Sequence, residues 1–240
     1  MEFIDTHSHF YLSEFDTDRE SVLNACIDAG VGTLFLPNID CNSIASMMET
    51  CKRFPQHCYP MLGLHPSDVK ENYEEELDCI LNQYIDNTFI AIGEIGMDLY
   101  WDKTFIKEQQ VVFRKQIDFA LIHNLPLVIH SRKSFAEILH ILNDYSHTSL
   151  KGVFHCFSGD LNQAIKAIEK GFYLGIGGTI TYKNSGIQDI VKEIPLAHLL
   201  LETDAPFLPP VPYRGQRNQS SYIPIIAAKI AELKGINMEE

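Results

Sequence analysis

The chain has no unbroken apolar stretch near the roughly 20 residues that a transmembrane helix requires, and no basic-then-apolar leader at its start. A cytoplasmic protein with no membrane partner is the expectation. Basic residues are scarce: Lys and Arg total 19 against 32 Asp and Glu, for a formal charge of −13. A general basic coat for nucleic acid is thereby excluded, because non-specific affinity comes from Lys and Arg neutralising phosphates. A nuclease is not, since bound divalent cations invert the potential of a local site. The six cysteines contain no Cys-x-x-Cys pair and fall mostly in helix-like or strand-like apolar segments. They read as reduced, buried thiols and not as a disulfide framework. No linker or low-complexity tract divides residues 1–240, so one domain is expected. No protein partner is inferable.

What is present is alternation. Short β-rich apolar runs occur at Phe3 to His9, Thr33 to Asn38, Tyr59 to Leu64, Ile90 to Gly96, Leu127 to His130, Gly152 to Phe157, Phe172 to Ile176 and Leu199 to Thr203. Between them lie stretches of helical period such as "EEELDCILNQYI" and "LNQAIKAIEKG", several closing on Gly or Asn as helix C-caps do. Eight successive βα units with near-continuous hydrophobic strands imply a parallel sheet covered by helices, and fit an α/β TIM-type (β/α)8 barrel. A doubly wound open sheet is the alternative, but no Gly-x-Gly-x-x-Gly follows the first run, and "GIGG" after the seventh reads as a tight strand exit.

Polar residues punctuate the ends of these runs. "FIDTHSHF" places Asp5, His7 and His9 in step on one face of a strand, where a core would be apolar. Further along, "IGEIG" carries Glu94, "LVIH" His130, "GVFHCF" His155 and "LLLETD" Asp204. Taken singly, each is explained by a hydrogen-bonded core histidine or a capping acid. Six in one register are not, because the C-terminal strand ends of such a barrel converge on one face. Four imidazoles and two carboxylates exceed one four-coordinate ion and suit two divalent ions with a carboxylate between them. Strand alternation turns Cys156 away from that face, toward the helices, and gives it a structural role.

These motifs, "DTHSH", "GLHP", "GEIGMD", "PLVIHSR", "HCFSG" and "ETDAPFL", in this order, resemble those of the TatD family of metal-dependent deoxyribonucleases, within the amidohydrolase-like barrel hydrolases. The resemblance extends from the first strand to about Ile223. It implies that His7, His9, Glu94 and Asp204 hold one metal and that Glu94, His130 and His155 hold the other. It further implies Asp204, Glu94 and His65 as catalytic residues, and Arg132, Asp98, Ser158, Arg214 and Asn218 on the substrate side. Asp98 is as well explained by loop capping. The implied activity is phosphodiester hydrolysis of DNA, of the 3'-5' exonuclease type, at single strands or frayed ends, with two divalent ions (Mg2+, Mn2+ or Zn2+). Arg132, Arg214 and Arg217, three of only six arginines, fall in or near loops after the fifth and eighth runs, where a planar guanidinium matches phosphate.

The sequence departs from the family pattern in three places. Gln219 and Ser220 replace an acid and a proline, Leu99 replaces an aromatic, and "AAKIAELKGINMEE" ends the chain where relatives add a helix, so a shortened C-terminal helical layer is anticipated. Two rival readings differ in class: a small-molecule amidohydrolase or deaminase on the same barrel, and a non-catalytic metal-binding protein.

Overall fold

The computed structural model of the protein describes residues 1–239. Every anticipated strand is present, and each is followed by an α-helix. In chain order the elements are β1 (Phe3–Asp5), α1 (Arg19–Asp28), β2 (Val31–Pro37), α2 (Ser43–Arg53), β3 (Cys58–Met61), α3 (Tyr73–Asn82), β4 (Ile92–Asp98) and α4 (Ile106–His123). The second half continues with β5 (Leu127–Arg132), α5 (Phe135–Asp144), β6 (Gly152–Phe154), α6 (Leu161–Glu169), β7 (Phe172–Ile176), α7 (Ile187–Glu193), β8 (Leu199–Leu201) and α8 (Ile223–Lys234). The anticipated shortening does not remove a helix, since α8 occupies the place after β8.

Local chemistry explains several boundaries. Asp160 and Gln163 form a capping box at the start of α6, each side chain satisfying the other's backbone N–H. Asn124, in the left-handed region, ends α4, and Gly235 ends α8.

All strand pairs are parallel, in the orders β1-β2-β3 and β4-β5-β6-β7-β8. Backbone hydrogen bonds cross both gaps between these sheets. Gly93 N donates to Leu62 O at 2.8 Å on the β3/β4 side, and Thr6 N to Leu201 O at 3.1 Å on the β1/β8 side. Alternate residues feed two apolar layers. Leu127, Ile129, Phe154, Leu199 and Leu201 join the large core beneath the helices, whereas Val128, Val153 and Leu200 form a small inner plug with Met61 and Ala91. His130 and His155 share the parity of that inner set, which carries their side chains onto the top of the plug, whereas Asp204, at a φ of 58° beyond the end of β8, is held by its N–H donating to His7 O.

Four strands are shorter than the sequence suggests: β1 stops at Asp5, β3 at Met61, β6 at Phe154 and β8 at Leu201. Beyond these points the chain leaves the regular ladder and is held by single bridges, such as Ser8 to Ala205. The expectation of six separate thiols is also corrected: Cys41 and Cys79 form a disulfide, while Cys26, Cys51, Cys58 and Cys156 are free. Cys41 precedes α2 and Cys79 lies within α3, and spacing alone gave no sign that these two helices bring them together.

Candidate metal centre

Glu94 is the hub. Its carboxylate is buried in β4 and its two oxygens face different partners. Oε2 lies 3.1 Å from His7 Nε2 and 3.7 Å from His9 Nε2. Oε1 lies 2.7 Å from His130 Nδ1, 3.4 Å from His65 Nε2 and 3.5 Å from His155 Nε2. Asp204 closes the ring, with Oδ1 at 3.5 Å from His9, 3.7 Å from His7 and 3.9 Å from His155. All six residues with metal-capable side chains at strand ends therefore meet at one place, and His65 joins them.

Burial would raise the Glu94 carboxyl, but His155, His65 and His7 outweigh it and hold the group well below the usual carboxylate range. Asp204 is likewise lowered: burial opposes, and the hydrogen bond from His9 with the neighbouring imidazoles prevails.

The fit to a metal rests on His7. Its ring is completely buried, and neither Nδ1 nor Nε2 has a hydrogen-bond partner. Nε2 is close to Glu94 without being aligned to bond it. A buried imidazole with both nitrogens unpaired is costly as a core residue, and natural as a ligand. Ligating atoms of His7, His9 and Glu94, of His7, His155 and Asp204, and of His65, Glu94 and His130 each lie within 4.8 Å of one another. The donor set of imidazole nitrogens and carboxylate oxygens suits Zn2+, Mn2+ or Fe2+ by ligand softness.

Asp5, in step with the two histidines, has a different task. It is fully buried; Oδ1 accepts from His7 N at 3.2 Å and Thr203 N at 2.9 Å, and Oδ2 accepts from Thr203 Oγ1. It staples the start of the chain to the segment carrying Asp204. Burial pushes its carboxyl up to about 7.

Asp98 accepts from Tyr100 N at 2.9 Å and lies 3.0 Å from His130 Nε2. It therefore caps its loop and orients His130 at once. Glu202 accepts from Cys156 N and stands beside His155, with Oε1 3.2 Å from Nδ1 but not aligned to bond it. Burial works against a charged His155, yet Glu202 and Glu94 outweigh it and push the imidazole up to about 10. Glu202 was not anticipated, although its spacing of two from Asp204 was a legible signal. Gly175 leaves room for it, since a Cβ there would collide with the Glu202 carboxylate.

The centre opens into a cavity of about 690 Å³, lined among others by Arg132, Ser158, Tyr182 and Trp101. Ser158 is exposed at its mouth. Four arginines pair with acids: Arg19 with Asp16, Arg53 with Glu20, Arg114 with Asp144, and Arg217 with Asp18. Among the described residues Arg132 and Arg214 have no such partner. Each lies over aromatic rings instead, Arg132 over Tyr100 and Trp101 at 4.3 and 5.1 Å and Arg214 over Tyr182 at 4.4 Å.

The geometry corrects three expectations. Asn218 is 0% exposed, with Nδ2 donating to Thr203 O at 2.8 Å and Phe207 O at 2.6 Å, so it braces the loop behind Asp204. Arg217 is committed to Asp18 through two hydrogen bonds, at 2.9 and 2.7 Å, and is withdrawn from the mouth. Cys156 does not turn toward the helices but lines the cavity, because β6 ends two residues earlier and Cys156 takes a left-handed φ of 45° that breaks the alternation. Burial raises its thiol well above the usual value.

The family described as TatD related DNase matches residues 4–240. The chain belongs to that family. Among TatD relatives, a metal-dependent hydrolase from Bacillus subtilis, YabD, is 38% identical over 98% of this chain and 92% of its own length. The crystal structure of the TatD homologue YjjV from Escherichia coli K12 has a TM-score of 0.91 at 33% identity, covering 99% of this chain and 92% of that one. A relative from Salmonella typhimurium, 28% identical over 93% of this chain and 88% of its own length, is named 3'-5' ssDNA/RNA exonuclease TatD. This chain is thus a metal-dependent hydrolase of the TatD family with an α/β TIM-type fold. Among the described residues no helix is long and apolar enough to cross a membrane.

Proposed function

We propose that the protein is a deoxyribonuclease that hydrolyses phosphodiester bonds at the 3' ends of unpaired strands. The observation that carries this reading is Arg132, which lines the cavity above the metal-capable cluster of a strongly acidic chain without an acidic partner, with the likewise unpaired Arg214 lying over Tyr182 of the same lining. An unpaired guanidinium at a cavity mouth suits a phosphate, which it binds through its planar fork. The name of the Salmonella relative supports the direction and the substrate.

His7, His9, Glu94 and Asp204 would hold one divalent ion and Glu94, His130 and His155 a second. Such ions supply Lewis acidity and charge neutralisation toward a phosphodiester. Asp204, ionised in this setting, accepts the proton of the attacking water. Because His65 Nδ1 accepts from Ser67 N at 3.1 Å, its Nε2 carries the proton and serves as a hydrogen-bond donor inside the site. Asp98 and Glu202 keep His130 and His155 in position. Arg132 and Arg214 orient the phosphate, and Ser158 is placed to hydrogen-bond the strand at the mouth.

Oligonucleotides labelled at either end, with wild type, Asp204→Asn and an EDTA control, test this reading. Stepwise shortening from the 3' end that EDTA abolishes, and that the variant slows by about 10²- to 10⁴-fold, is the expected result. Ammonia release from cyclic amides with no nucleotide products would overturn it.

A further inference from the structure

The only tryptophan of the chain is placed where burial cannot explain it. Trp101 is 72% exposed and Tyr100 50%, in the loop that follows β4. Their rings meet edge to face at 4.7 Å, and the Arg132 guanidinium lies against both. Trp101 lines the cavity above the metal-capable cluster; Tyr100 lines an adjoining one of about 650 Å³. The two cavities share Arg132, His155 and Ser158, so the aromatic pair stands on the ridge between them.

Bare aromatic surface of this size is unfavourable in water unless something covers it. The loop is not a floppy excursion. Asp98 caps its first turn through Tyr100 N, and Asp102 caps the next through Thr104 N at 2.8 Å. The rings are thus presented on a braced turn, beside a cation without an acidic partner. Flat aromatic surface next to a guanidinium complements one ligand unit in particular, a nucleobase joined to a phosphate.

We propose that Trp101 and Tyr100, braced by Arg132, form a stacking platform for an unpaired nucleobase of the substrate strand. The site then selects single-stranded ends without reading which base is present. This rests on the nuclease reading above and adds to it the residues that confer strand preference. Stacking requires a base free of its partner, so a blunt duplex end is excluded until it frays. Every base offers a π face, so sequence is tolerated.

Trp101 is also its own reporter, since all tryptophan fluorescence comes from it. The metal-loaded wild-type protein is titrated with a phosphorothioate single-stranded 8-mer, with 8-mers carrying one abasic sugar at each of the last three positions, and with a blunt duplex. Anisotropy of the labelled oligomers reports binding in parallel. Saturable quenching is expected with the intact 8-mer, and its loss with one abasic position. On ordinary oligonucleotides, Trp101→Ala lowers kcat/KM by about 5- to 150-fold, mostly through KM, and that abasic substitution costs the variant nothing more. Trp101→Phe retains most of the activity and guards against misfolding of the alanine variant.

Binding without quenching, equal quenching by the blunt duplex, or an undiminished abasic penalty in Trp101→Ala would overturn the platform. Quenching without hydrolysis would leave the platform standing and remove the nuclease reading. Failure of every oligomer to bind would remove both.

Discussion

His7 and His155 stack face to face, with ring centroids 3.5 Å apart, although one follows β1 and the other follows β6. Two imidazolium ions could not share that contact. Burial and the neighbouring His155 push His7 below its usual pKa, while carboxylates hold His155 up. The stack leaves each Nε2 facing a different oxygen of Glu94.

Glu94→Gln therefore removes the negative hub from both groups of histidines. The variant is expected to lose metal affinity by more than the ~10- to 100-fold that changes around a ligand shell cost. Equilibrium dialysis with Mn2+ and Zn2+ measures it, and affinity equal to wild type would contradict the assignment.

Glu202→Gln keeps the volume beside Gly175 but removes the charge next to His155. Metal affinity should fall about 10- to 100-fold with the circular dichroism spectrum unchanged. A variant with normal metal content and normal activity would show that His155 needs no such orientation.

Asn218→Ala leaves Thr203 O and Phe207 O without their donor. A loss of about 1–3 kcal/mol is expected, together with slower turnover because Asp204 lies between them in the chain. A change confined to KM, with urea stability intact, would instead favour the substrate contact that the sequence suggested.

The Arg217 to Asp18 clamp predicts a pH dependence. The hydrogen bond from Arg217 lowers the Asp18 carboxyl below its ordinary value, so the native state binds its proton less readily than the unfolded chain does. The stabilisation is present above the unfolded pKa and disappears as pH falls through the depressed one. Both groups are partly exposed, so about 1 kcal/mol at most is at stake. Arg217→Ala should melt roughly 2–4 °C lower at pH 7, and the gap should close in differential scanning calorimetry as pH falls below the ordinary carboxylate range.

The succession of strands and the strand-end residues that cluster were legible because both depend on short-range pattern. In β5 the parity of Val128 and His130 is unambiguous, since Leu127 and Ile129 face the helices and the even positions face inward. The register of Asp5 with His7 and His9 was legible, but only its bonds to Thr203 reveal its task as a staple. Arg217 was read from its place in a loop and Asn218 from the family resemblance, and a loop's path follows from neither. Cys156 escaped because one residue at positive φ cancels the rule of alternation. The Cys41 to Cys79 pairing depends on how α3 packs beside the loop before α2, which no local pattern encodes.

The seam between β1 and β8 has a temporal meaning. Asp204 N donates to His7 O at 2.9 Å and His9 N to Ala205 O at 2.7 Å, so the histidines synthesised first are tied across the seam by residues synthesised much later. A polypeptide stopped before the eighth strand lacks Asp204 and the backbone partners of His7 and His9 on that side. Assembly of the complete cluster is thereby postponed until translation has passed the eighth strand.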